Sequence, residues 1–85
     1  MQNMQTLYEK KEELTSKIEK LTSLREEIEF AEDAGANDAI EGVNSFFGKK
    51  YVHLSTMKEA VDEELDILKE QLNKIEEAIS FYGNQ

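Results

Sequence analysis

Eighty-five residues with no cysteine, no proline and one histidine allow a single domain and exclude both a disulfide scaffold and a histidine–cysteine metal cluster. The formal charge is −9 at pH 7, with 11 acidic and 5 basic side chains in residues 1–42 and 8 and 5 in residues 43–85. Such a balance repels phosphate backbones and anionic lipid, so no nucleic-acid partner is expected. No stretch has more than two adjacent large apolar residues. Neither a cleaved signal peptide nor membrane insertion is therefore expected, and the chain reads as cytoplasmic or as exported without a cleaved signal.

In chain order, the first element is a helix over about 6–33. Thr6-Leu7-Tyr8-Glu9 has the pattern of a capping box, in which a threonine hydroxyl and a glutamate satisfy amides at the helix start. Leu7, Leu14, Leu21 and Ile28 recur every seven residues, with Met4, Ile18 and Leu24 widening the stripe. Lys10, Lys11 and Lys17 intrude near this seam, where their aliphatic stems can cover apolar surface while the ammonium reaches water. Ala34-Gly35-Ala36-Asn37 forms the loop that ends the helix, Gly35 being suited to a left-handed turn beyond a helix C-terminus.

A short helix is expected over 38–46, with Asp38 and Glu41 as a second capping signal, followed by an elbow near Gly48. The last helix is expected over about 49–81. Its stripe runs through Phe47, Tyr51, Leu54, Met57, Val61, Leu65, Leu68, Leu72, Ile75, Ile79 and Tyr82 at steps of three or four residues. A competing reading makes residues 46–54 a short β-hairpin turning at Gly48-Lys49, with Thr56 and Glu59 capping a later helix start. The fold class is thus all-α: a helical hairpin of long antiparallel helices. A face of this length on so short a chain calls for pairing, with itself or a protein partner, as a homodimer or heterodimer bundle.

Chemistry is sparse. His53 stands beside a seam leucine, and Ser45, Ser55 and Thr56 read as local polar residues. Gly42 and Gly48 lack the spacing of a phosphate loop. Glu26 to Glu41 holds seven carboxylates and no base, but Asp33, Asn37, Asp38 and Glu41 do not follow the alternating ligand spacing of a calcium loop. No catalytic residue, cofactor or metal is expected, and the chain reads as a non-enzyme.

Two long helices, a mid-chain aromatic-x-glycine at Phe46-Phe47-Gly48, high acidity and the absence of cysteine give the whole chain a resemblance to the WXG-motif family. These small helical hairpins are substrates and targeting partners of type VII secretion, and Phe46 takes the tryptophan's place in the motif. The resemblance implies a four-helix bundle made by two hairpins and a role in presenting cargo to an export ATPase. The family's export signal, a tyrosine with an acid four residues on, has no match at Tyr82, a departure from the family pattern that a partner carrying the signal could make good. Candidate partner-binding residues are Phe46, Phe47, Gly48 and Tyr51 at the joint, and Glu32, Asp33 and Asp38 on the acidic surface. Two alternatives use the same residues differently. A small acidic phage or mobile-element inhibitor would bind a host protein through the carboxylates, and a prefoldin-like chaperone would use strands at 46–54 for assembly.

Overall fold

The computed structural model describes residues 4–83. Three helices follow in order: α1 (Met4–Asp33), α2 (Glu41–Phe47) and α3 (Leu54–Gly83). α1 and α3 pack along one another, so the helical hairpin expected from the stripes is the fold. The long dimension is 54 Å, close to the roughly 45 Å of a thirty-residue helix plus its connecting end.

The direction and register of the hairpin follow from its ion pairs. Arg25 meets Asp62 and Lys11 meets Glu76, so stepping back along α1 matches stepping forward along α3 by the same number of residues. The helices are antiparallel, with the connection 34–53 at one end. Between them lie Leu14, Leu21, Leu24 and Ile28 of α1 against Leu54, Met57, Val61, Leu65 and Leu68 of α3. Leu7 is also buried, whereas Leu72, Ile75 and Ile79 are half-buried and Tyr82 is exposed. The seam is complete near the connection and thinner toward the open end.

The connection is built from two glycine-terminated helix ends. At the end of α1, the Gly35 N–H donates to the Glu32 carbonyl at 3.0 Å and the Ala36 N–H to the Ala31 carbonyl at 2.9 Å. Gly35 has φ +72°, completing the left-handed stop anticipated for it. α2 then runs back along the hairpin with Val43 fully buried. Its Gly42 lies so close to α1 that a Cβ there would stand 2.8 Å from Leu24 Cδ2. At its far end Gly48 takes φ +64°, and the Lys49 N–H returns to the Asn44 carbonyl at 3.1 Å.

Several local expectations differ from the structure. Thr6 is already helical, so the capping box does not mark the start of α1. α2 begins at Glu41, three residues after Asp38, and its N-cap is Ile40 with no side-chain cap. α3 begins at Leu54, not near residue 49, because the left-handed Gly48 ends helical propagation and residues 49–53 are non-helical. The β-hairpin over 46–54 is not formed either. No strand occurs among the described residues, and Phe46 and Phe47 belong to α2. Thr56 is likewise past the start of α3, where the Met57 N–H donates to the His53 carbonyl at 3.1 Å.

Candidate interaction site

The joint owes its shape to Asn44. Its Nδ2 donates to the Tyr51 carbonyl at 3.1 Å, and its Oδ1 accepts from the Tyr51 N–H at 2.9 Å. One side chain thus supplies both hydrogen bonds that Tyr51 would have made in a helix or strand, and the loop needs no regular structure to satisfy it. Phe47 is held between Phe46 and Tyr51 in edge-to-face contacts, with ring centroids 5.1 and 6.1 Å apart. All three rings are half-buried and pack against the core. Phe47 and Tyr51 also border a surface pocket with Ala60, Glu63, Glu64 and Ile67 of α3. Ile67 stays 44% exposed there.

The candidate residues do not form one site. Phe46, Phe47, Gly48 and Tyr51 come together at the joint. Glu32 lies on the other flank of the hairpin, where its carboxylate accepts from Lys58 Nζ at 3.3 Å. The helical step separates the two sets, since Lys58 and Asp62 point away from Ala60, Glu64 and Ile67. Asp33 ends α1, Asp38 stands in the loop, and both are exposed without an ion pair among the described residues. Glu29, from the same acidic run, is engaged by Arg25. No group of three or more histidine, aspartate or glutamate residues among the described residues is placed to hold a metal ion.

Arg25 is the electrostatic centre of that flank. It reaches Glu29 one turn on and Asp62 across the hairpin, with an Nη2 to Oδ2 distance of 3.3 Å in the second pair. The hydrogen bond from Arg25 holds the Asp62 carboxyl below its ordinary value of 3.8, the neighbouring positive charges helping. The same bond raises the guanidinium. With Lys11–Glu76 and Lys58–Glu32, these contacts line one open side of the hairpin with opposite charges.

The other side is divided lengthwise. Lys10, Lys17, Leu24 and Ala31 follow one another at seven-residue spacing on α1, as do Ala60, Ile67, Lys74 and Phe81 on α3. Near the connection, Leu24 lies under Gly42 and Ala31 beside Ile40, while Ala60 and Ile67 border Phe47 and Tyr51. Beyond the reach of α2 the same helix positions carry lysine. There Lys10, Lys17 and Lys74 edge an open groove floored by Leu14 and Ile75. Lys10 and Lys17, two of the three lysines near the α1 seam, are therefore residues of a surface that α2 stops short of covering, whereas Lys11 pairs with Glu76 on the opposite side. Sequence reading missed Asn44 and Ile67. Asn44 gave no periodic signal, but the seven-residue match of Ile67 to Ala60 and Lys74 was available.

Comparison with protein-family models, with curated proteins and with solved structures gives no match. No helix among the described residues is long and apolar enough to cross a membrane.

Proposed function

We propose that this chain is a non-catalytic protein–protein interaction module, a WXG-like partner or targeting factor for a type VII secreted protein. It would act in the cytoplasm or leave without a cleaved signal. The observation that carries the reading is the joint: two long antiparallel helices connected through Phe46-Phe47-Gly48, the glycine left-handed and the aromatic rings half-buried. Aromatic side chains held in place by neighbours make low-entropy anchors for a partner.

The test is copurification with a co-encoded type VII substrate, using the intact chain, Phe46→Ala and the pair Asp33→Lys and Asp38→Lys. Circular dichroism should show all three helical. Phe46→Ala is expected to weaken capture by ~1–2 kcal/mol, and the charge pair to matter little. Loss confined to the charge reversals and relieved by no joint mutation would replace this reading with the acidic inhibitor, whose binding fades with salt. Glu32 is left out of the test because reversing it also breaks its pair with Lys58.

A further inference from the structure

We propose that the open furrow between α1 and α3 beyond α2 seats a short acidic amphipathic helix of a partner protein. The proposal rests on the reading of the chain as an interaction module and gives it a second contact, at the end of the hairpin away from the joint. The groove there, about 380 Å³ in volume, has Leu14 and Ile75 for its floor and Lys10, Lys17 and Lys74 on its rim, with Glu13 and Gln71 between them. α2 shows what this flank of the hairpin takes. It lies along the same lane of α1, with Gly42 against Leu24 and Ile40 beside Ala31, and it buries Val43 completely. It stops at Phe47, beside Ile67, and Gln71 lies one turn further along α3. A helix already occupies one half of the furrow, and the other half is open.

Charge and spacing set the occupant's chemistry. The chain carries a formal charge of −9, yet three lysines gather on this rim with one carboxylate among the lining residues. Lys10 has no ion pair among the described residues. Lys17 and Lys74 reach only helix neighbours, Glu13 at 3.4 Å and Glu70 at 3.9 Å, in exposed pairs of the kind that contribute little. Lys10 and Lys17 are about two turns apart on α1, roughly 10 Å. In the register set by Arg25–Asp62 and Lys11–Glu76, Lys74 faces them from level with Glu13, near the midpoint. A single small anion cannot meet three ammonium groups so spread. A helix laid along the groove can, with carboxylates seven residues apart on one edge and a third between them on the other. Its apolar side chains, at three- and four-residue steps, then rest on Leu14 and Ile75. An opening about two turns long is too short for the interface of a whole second hairpin, which requires roughly 1,200 Å² or more. A short segment is its match.

The probe is a fluorescein-labelled synthetic peptide of about 14 residues, roughly 20 Å as a helix, with leucines on one helical face and glutamates on both flanks. It is titrated against the intact chain by fluorescence anisotropy. Its controls are a twin with lysine in place of glutamate and a scrambled peptide of the same composition with no apolar face. The glutamate peptide is expected to bind at least about tenfold tighter than either. Lys10→Gln with Lys74→Gln should weaken it about tenfold. Lys49→Gln with Lys69→Gln makes an equal change of charge, in the connection and on the flank that carries Asp62 and Glu76, and should leave binding unchanged. Circular dichroism should show both double variants as helical as the parent. Amide NMR shifts on adding peptide should centre on residues 10–17 and 71–75. Equal weakening by the two double variants, equal binding of the scrambled peptide, or shifts centred on Phe46 to Tyr51 would overturn the proposal. So would groove shifts that grow with the chain's own concentration in the absence of peptide, since a second copy would then be the occupant. A chain that captures a type VII substrate through Phe46 but takes up no acidic peptide also overturns it and leaves the interaction module standing. A chain that seats the peptide here and captures no such substrate keeps the groove and removes the secretion reading.

Discussion

Replacing Asn44 with alanine removes both hydrogen bonds that hold the Tyr51 backbone. Each such bond contributes about 1 kcal/mol net, and the Tyr51 N–H and carbonyl, part-buried beside the ring, would find water only in part. Against this stands the gain of placing alanine where asparagine was in a helix, about 0.6 kcal/mol. The expected net loss is about 1–2 kcal/mol, which for a domain of this size lowers the melting temperature by roughly 5–10 °C. Thermal melts followed by circular dichroism measure the total, and hydrogen exchange at the Tyr51 amide isolates the cause. The amide should lose protection well before the α3 amides do. Unchanged protection at Tyr51 with an unchanged melt would show that the loop is held by its aromatic contacts and that the Asn44 bonds are incidental.

Other outcomes follow from the same geometry. Gly48→Ala forces a side chain into φ +64° and should cost about 1–2 kcal/mol in a urea melt, although open space surrounds the site. Leu68→Ala, buried in the three-helix half, should cost about 2–5 kcal/mol, whereas Leu72→Ala, half-buried beyond α2, should cost clearly less in dilute monomer. Asp62→Asn should lower stability near neutral pH. The Asp62 carboxyl titrates below 3.8 in the folded state, so its contribution is present above that value and is lost as pH falls through the depressed one. Melts of variant and wild type should therefore converge in acid, and a constant difference would refute the Arg25 assignment.

The hairpin was legible because a packed seam imposes a period, and Leu54 to Leu68 keep that period without interruption. The same signal misplaced the start of α3. Phe47, Tyr51 and Leu54 are spaced as on a helix, yet Tyr51 reaches the core from a non-helical loop that Asn44 ties down. Periodicity records which side chains turn inward and is blind to the backbone that turns them. Thr6 misled in a related way, since a capping pattern is meaningful only where no helical turn precedes it, and α1 already extends to Met4. The joint residues were found through the glycine and its aromatic neighbours. Their separation from Glu32 was hidden, because which flank a residue occupies depends on hairpin register, and that register rests on cross-helix pairs such as Arg25–Asp62.

The unequal clothing of the two ends of the hairpin also sets an order for its assembly. Glu32 and Lys58 are 26 residues apart in the chain and Arg25 and Asp62 are 37 apart, so the end bearing α2 closes the shortest loops. Lys11 and Glu76 close a loop more than twice as long as the first, at an extra entropic cost of about 0.8 kcal/mol if formed alone. The connection end also holds the fully buried Val43, Met57 and Val61, while the far end offers only half-buried side chains along α3. Local closure and rewarding burial coincide, so the nucleus is expected around α2, with the long helices zipping outward from it toward Leu7 and Ile79. Unzipping should run the other way, baring Leu7 and Ile79 before it disturbs the aromatic joint.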